Sequence, residues 1–341
     1  MAHPHSVREI ARQAGVSEAT VDRVLHNRPG ARQSTAGQVR QAIRDLETQR
    51  LQLELTGRRF MIDVVADAPG RFNSSVQHSL ESMLPLLRPA VFRARFQLHE
   101  QWNAEECAAE LDRIGQRGSH GVILKARDVP LIAAAVDRLA EAGIPVVTLA
   151  TDLPASRRAA YVGVDNRSAG ATAAYLIHQW MGIGPGTVAV TVSNDFFRGE
   201  EEREMGFRAA MRAMDPGRDV LYLSGSDGLD QTTRRLMSET LAGYPGRTAV
   251  YSIGDGNAGI NEAFEAAGRK PQVFIAHDLA PANVTLLRSG SMTALLHHDL
   301  KQDILRCCRF IMHAHGALPE ADAGSASPIE LITPFNIPHG F

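Results

Sequence analysis

The hydrophobic positions change period once along the chain. In the first fifty residues they follow a helical repeat. Val7, Ile10, Ala11 and Ala14 make one apolar stripe with Arg8, Glu9 and Arg12 opposite; Val21, Val24 and Leu25 make a second; Val39, Ile43 and Leu46 make a third. Gly15 breaks the first stripe and Ser17 is placed to cap the second helix, so two short helices meet at a tight turn. A third helix is predicted over about Gln33–Glu47, followed by a connecting segment over 48–59. From Phe60 onward, strands alternate with amphipathic helices. Strands are predicted at Phe60–Ala66, Val91–Leu98, Gly121–Lys125, Pro145–Leu149, Gly186–Val192, Val220–Leu223, Thr248–Ile253, Gln272–Ala276 and Met292–Leu296. The intervening helices include Ser75–Leu87, Ala104–Gly115, Leu131–Ala142, Ala169–Met181 and Glu200–Met214. Such alternation builds parallel sheets with helices on both faces. The strands are too many for one compact sheet, so the expectation is two lobes with a cleft between them.

Composition sharpens this picture. With 341 residues and 44% hydrophobic content, the chain can bury a large core. It has no apolar run long enough to span a bilayer, and its start, Met1-Ala2-His3-Pro4-His5, lacks the basic and apolar regions of a signal peptide, so the expected location is the cytoplasm. Cys107, Cys307 and Cys308 suggest no disulfide framework and read as reduced core thiols. The net charge is −2, but residues 1–59 hold ten arginines and six acidic side chains, leaving the remainder at −6. A basic headpiece on an acidic body suits a chain whose N-terminus meets phosphates.

The second helix turns Glu18, Ala19, Asp22, Arg23 and His26 outward, side chains able to exchange hydrogen bonds with base edges in a major groove. The run Ile10-Ala11-Arg12-Gln13-Ala14-Gly15-Val16-Ser17-Glu18-Ala19-Thr20-Val21-Asp22-Arg23-Val24-Leu25 resembles the helix-turn-helix of the lac-repressor (LacI) family of bacterial transcription regulators. Asp22 stands where that pattern has Ser. It has two readings: it accepts from a base amino group, or it neutralises a nearby Arg such as Arg23 or Arg32. The resemblance implies Glu18, Ala19 and Arg23 as base readers, with Ser6, Ser17, His26 and Thr35 nearer the sugar-phosphate backbone. Relatives carry a Pro-started hinge helix that wedges a Leu into the minor groove. Residues 48–59 lack its Pro and Leu-Ala pair, which leaves Leu53 or Leu55 either as a substitute wedge or as packing on the core.

The resemblance extends through Tyr161-Val162-Gly163-Val164-Asp165-Asn166, like the family's lobe-crossing segment, and Arg203-Glu204-Met205-Gly206-Phe207, like its Arg-x-x-Gly-Phe element. His298-Asp299 matches a Gln-Asp pair near the return crossing. The implied fold is α/β, a three-helix headpiece (1–47) and linker (48–59) on a two-lobed, doubly wound core like that of periplasmic binding proteins (60–341). Its first lobe would hold about 60–164 and 298–328, its second about 165–297 and 329–341. The implied partners are pseudo-palindromic operator DNA, a small sugar or polyol effector, and a second copy of the chain in a homodimer, with a tetramer as a further option.

Ligands of such sheets bind at the carboxyl ends of strands. That rule selects Asp67, Phe72, Asn73, Thr151 and Asp152 in the first lobe. In the second it selects Asp195, Arg203, Asp255, Asn257 and Asp278, with His298 on the return segment. Carboxylates, Arg and Asn grip hydroxyls in pairs, and Phe72 or Tyr251 can cover an apolar face. Asp278 is read equally as ligand contact or helix N-cap, and Asp255 more as support for a helix dipole. His297 and His298 point to opposite faces of a strand, so no metal is expected. Gly254-Asp255-Gly256-Asn257-Ala258-Gly259 matches the G-x-G-x-x-G dinucleotide fingerprint, with Asp278 downstream as the ribose acid, so an NAD-dependent enzyme is the alternative. Against it, the motif falls late, Asp255 and Asn257 crowd the pyrophosphate position, and no nucleophile–base pair accompanies it. Neither catalysis nor a cofactor is expected. An exported sugar-binding protein is opposed by the headpiece.

Overall fold

The structure, a computed structural model, describes residues 4–182, 184–193, 197–318 and 326–339. Ser6 opens the first helix, α1 (Val7–Ala14), with a reciprocal cap. Its hydroxyl accepts from the Glu9 N–H at 3.2 Å while the Glu9 carboxylate accepts from the Ser6 N–H at 2.8 Å. Gly15 ends the helix at φ 66°, which glycine adopts without strain, and Ser17 caps α2 (Glu18–Leu25) by accepting from the Thr20 N–H. Ile10, Ala11, Val21 and Val39 close a small core beneath both helices and α3 (Gln33–Leu55).

That third helix does not stop at Glu47 as expected; it runs through the expected connecting segment to Leu55. Between Gln38 and Thr56 the chain has neither Gly nor Pro, and its Arg, Gln, Glu and Leu residues are good helix formers. Leu55 is buried with Phe60 and Phe92 in the first lobe, whereas Leu53 is 76% exposed. The headpiece is thus joined to the body by helix, with a short turn at 56–58.

The first lobe contains β1 (Arg59–Asp67), α4 (Gly70–Met83), β2 (Val91–His99), α5 (Ala104–Arg117), β3 (Gly121–Lys125), α6 (Pro130–Glu141), β4 (Val146–Leu149) and β5 (Ala160–Val162). Its strands form a parallel sheet in the order β2-β1-β3-β4-β5. The second contains α7 (Asn166–Met181), β6 (Thr187–Ser193), α8 (Arg198–Met214), β7 (Asp219–Ser226), α9 (Asp230–Gly243), β8 (Thr248–Ser252), α10 (Asn257–Ala266), β9 (Phe274–His277), α11 (Pro281–Arg288) and β10 (Ala294–His297). After α12 (Leu300–Ala314), β11 (Glu330–Ile332) adds an antiparallel edge, giving the order β11-β10-β9-β8-β6-β7. The helix expected from Ser75 begins at Gly70, and Leu84–Leu87 form a 3-10 turn. The three-residue strands β5 and β11 lie outside the expected set, being too short to show a period.

Helix α12 leaves the second sheet and packs Ile304, Cys307, Cys308 and Ile311 into the core of the first. The chain therefore crosses between lobes three times: at 163–165, at 298–299 and around Ser327. The first and third crossings are stitched by the Ser327 N–H donating to Gly163 O at 2.8 Å. All three cysteines are free and buried, and burial pushes the Cys107 and Cys308 thiols up to about 12. No helix among the described residues is long and apolar enough to cross a membrane.

Candidate functional site

On the headpiece, α2 presents Glu18, Ala19, Arg23 and His26 to solvent along one side. Ser17 and Ser6 are exposed but occupied by their caps; Arg32 precedes α3 and Thr35 sits half-buried in its first turn. Asp22 is neutralised, though not by Arg23 or Arg32. Its carboxylate meets Arg28 Nη1 at 2.9 Å and His26 Nδ1 at 3.0 Å. The left-handed Asn27 (φ 51°) folds the chain back after α2, and this brings Arg28 over the helix end. Arg23 and Arg32 make no ion pair among the described residues, which leaves both cations available to an outside anion.

The second constellation lies where the two sheets' carboxyl edges face each other. A cavity of about 150 Å³ opens there, between Arg71, Phe72 and Ser75 of α4 and a second-lobe wall that includes Arg203, Asn257 and Asp278. A void of about that size holds one six-membered ring. Arg203 is held by close approach of α8 to α7: a Cβ at Gly170 or Gly206 would overlap the other helix's backbone. Its Nε donates to Asn166 Oδ1 at 2.8 Å, and Asn166 Nδ2 donates to the Tyr161 hydroxyl at 3.2 Å. Arg203 is a buried cation without an ion-pair partner among the described residues. Asn257 spends its amide N–H groups on Asn283 and Asp255, leaving Oδ1 buried and unbonded. Among the described residues Asp278 Oδ1 also accepts no hydrogen bond, its one ion-pair neighbour being His298 Nε2 at 3.5 Å. Buried polar atoms left in this condition are costly unless a ligand completes them.

The N-cap reading of Asp278 does not hold. Helix α11 is preceded by Ala280, and Asp278, at φ 64°, turns toward the cavity 3.5 Å from His298 Nε2. His298 is buried and binds Asp303 Oδ2 through Nδ1 at 2.6 Å. Burial lowers its basicity, but Asp278 and then Asp303 carry the net shift above the usual value of 6.5. Tyr251, expected over the ligand, is instead fully buried behind the cavity, stacked on Phe207 at 4.8 Å with its hydroxyl 2.9 Å from His277 Nε2. β8 is an interior strand covered on both faces, so its alternation sends Tyr251 under α8.

Four first-lobe candidates brace loops and do not line the cavity. Asp67 accepts from the Trp102 N–H and from Arg127 Nε, each at 3.2 Å. Asn73 Nδ2 donates to Ala68 O and His99 O, and Asp152 is gripped by Arg158 and the Thr148 hydroxyl. Thr151 Oγ1 accepts from the Gly199 N–H of the other lobe at 3.2 Å. Asp195 lies outside the described residues. Several lining residues escaped the sequence reading, His277 and Arg71 among them. His277 ends β9, the position that the strand-end rule selects, and burial holds its ring well below the usual value. Arg71, beside Phe72, pairs across the cleft with Asp255, which thereby ties the lobes as well as preceding α10. Arg198 to Asp128 at 3.3 Å, and Lys125 Nζ 3.8 Å from the Phe197 ring, add further cross-lobe contacts.

Among the described residues, no three His, Cys, Asp or Glu side chains converge on a metal position. The G-x-G-x-x-G run is filled by the protein itself. The space beside Gly254 is taken by Ser193 and that beside Gly259 by the Asp230 backbone, so packing accounts for both glycines.

A helix-turn-helix on a hinged, two-lobed core with a polar cleft defines a DNA-binding regulator carrying a periplasmic-binding-protein type of domain. The description "Bacterial regulatory proteins, lacI family" matches residues 6–48, and "Periplasmic binding protein domain" matches residues 89–302. The chain belongs to the LacI family of bacterial regulators, with a periplasmic-binding-protein core. Among solved structures it is similar to a candidate LacI transcriptional regulator from Bacteroides fragilis, at 19% identity and TM-score 0.72 over 82% of this chain and 98% of that one. It is similar to GanP, a glucose-galactose binding protein from Geobacillus stearothermophilus, at 19% identity and TM-score 0.72 over 82% and 99%. A third similar structure is a solute-binding protein from Bacillus halodurans with bound myo-inositol, at 18% identity and TM-score 0.71 over 83% and 96%. No curated protein matches the chain significantly.

Proposed function

We propose that this protein is a sequence-specific regulator, acting in the cytoplasm as a repressor, whose operator affinity is set by a neutral, single-ring sugar or polyol bound between the lobes. The observation that carries the reading is the cavity wall of Arg203, Asn257 and Asp278: among the described residues Arg203 has no ion-pair partner, Asn257 Oδ1 accepts no hydrogen bond, and Asp278 Oδ1 has only the 3.5 Å ion-pair contact with His298. A hydroxyl donates and accepts at once, so neighbouring hydroxyls on one ring complete both kinds of group. Apart from Arg203, the nearby charges pair off (Arg71 with Asp255, His298 with Asp278 and Asp303), and the carboxylates of Asp255 and Asp278 in the lining favour a neutral ligand over a phosphorylated one. Glucose, galactose and myo-inositol, named for similar structures, are the first ligands to try. Two copies would present two α2 helices to half-sites of a pseudo-palindrome, with Glu18, Ala19 and Arg23 toward the bases and Ser6, Ser17, His26, Arg32 and Thr35 toward the backbone. Ligand would change operator affinity by its difference in affinity between the two arrangements of the lobes. No catalytic step is assigned.

The test is to select duplexes from a random pool with the full chain, then titrate sugars and polyols against the selected complex. A consensus with two-fold symmetry that one neutral ring compound releases supports the reading. A selected duplex indifferent to every sugar and polyol, with NAD as the sole ligand of the protein, overturns it.

A further inference from the structure

His298 stands where the chain returns from β10 to α12, and only 4% of it is exposed. Its two ring nitrogens face carboxylates of opposite lobes. Nδ1 lies 2.6 Å from Asp303, on the helix that packs against the first sheet; Nε2 lies 3.5 Å from Asp278, on the second-lobe loop bordering the cavity. Asp303 in turn accepts from the hydroxyl of Ser327 on the third crossing, and Arg306 Nη1 donates to that hydroxyl's oxygen at 2.9 Å. Ser327 is hydrogen-bonded through its backbone to Gly163 on the first crossing. A single imidazole therefore connects the cavity with all three crossings.

A neutral imidazole carries one N–H and can serve one of two carboxylates; an imidazolium serves both. We propose that His298 in its protonated form is the positioning residue of the cleft, tying Asp278 of the second lobe to Asp303 of the first, so that lobe closure and effector binding take up one proton. The inference rests on the reading of the cleft as the effector site and adds its regulation. The charged groups around the ring divide by sign. Asp278 and Asp303 favour the proton; Arg203 from α8, with His277 and His297 from the two neighbouring strands, opposes it, and Arg306 acts through Asp303 at 3.9 Å. The carboxylates are in contact, while His277 and His297 are themselves held toward the neutral form by burial, so the balance at His298 favours the cation. Loss of the proton leaves two carboxylates of opposite lobes competing for one N–H. The tie between lobes then fails, and Asp278 no longer has a fixed orientation toward the cavity.

The experiment uses the full chain without ligand, labelled with 15N-histidine and followed by NMR and small-angle X-ray scattering from about pH 5.5 to pH 9. His298→Gln, which keeps an amide donor but cannot titrate, identifies the ring signal. The expected result is a His298 midpoint above the ordinary 6.5 and a radius of gyration that rises over that same pH interval. Asp278→Asn should lower the midpoint by about one pH unit or more, and His298→Gln should flatten the scattering profile. A wild-type radius that does not follow the His298 titration, or a ring neutral throughout, overturns the proposal without recourse to any variant. Because no effector is present, the pH response is read apart from the ligand; a chain that opens with His298 deprotonation yet binds none of glucose, galactose and myo-inositol in a separate calorimetric titration would refute the effector reading alone.

Discussion

At the scale of single residues, the cleft separates side chains that hold the fold from those that await a partner. Asp67 and Asp152 have their carboxylates committed to neighbouring loops, and Asn73, whose unbonded Oδ1 lies outside the cavity lining, commits its amide N–H groups; among the described residues that line the cavity, Arg203 has no ion-pair partner and the Oδ1 atoms of Asn257 and Asp278 accept no hydrogen bond. Arg203→Ala removes charge-assisted hydrogen bonds to ligand, worth about 1.5–3 kcal/mol, so sugar affinity should fall roughly ten- to a hundredfold. Operator affinity without ligand should be unchanged; calorimetry and a DNA mobility assay check the two halves. The buried histidines set the pH response. His298, raised, contributes stability that is complete below about pH 6.5 and is lost as pH rises through its folded value. His277 and His297, lowered by burial, withdraw stability as pH falls below about 6.5, where the unfolded chain takes up their protons. The melting temperature should therefore decline on both sides of near-neutral pH, and His298→Gln should lose only the alkaline decline.

At the scale of elements, α3 is the departure with most consequence. Its start and inner face were legible from Val39, Ile43 and Leu46; its end was not, because the apolar spacing at Leu51, Leu53 and Leu55 fits a strand-like linker as well as a helix. Whether such a segment stays helical depends on its last turn finding something to pack on, and Leu55 finds Phe60 and Phe92. Gln49→Pro, which removes one ladder bond and clashes with the preceding turn, should cost about 3 kcal/mol of local helix. It should speed tryptic cleavage after Arg50 in the full chain; equal cleavage of both forms would show that the helix is already open there. Most of the expected strands were legible to within a residue or two, as at Gly121–Lys125, since β-rich apolar runs bounded by polar turns have few alternatives; β7 runs three residues past the expected Leu223, and the short β5 and β11 were not read.

At the scale of the whole molecule, cross-lobe pairs set how firmly the cleft closes. Arg71 and Asp255 are each about one-third exposed, so water screens their pairing. Arg71→Ala should weaken closure by less than about 1 kcal/mol, a factor of five or less, seen as a slightly larger radius of gyration at unchanged melting temperature. The sequence by itself determined the helix-turn-helix, the change from helical period to strand–helix alternation, and the strand ends on which ligand groups must lie. These follow from local spacing, capping and the rule that parallel sheets bind at their carboxyl edges. Only the tertiary structure decided which strand-end residues face the cavity. It withdrew Tyr251 behind Phe207, turned Asp152 to Arg158, brought Arg71 to Asp255, and joined Asp278, His298, Asp303 and Ser327 across three crossings. Residues 278 and 327 are distant in the chain, and what unites them is the packing of α12 on the sheet it does not follow. That choice is made by burial summed over the whole core, which no local pattern records.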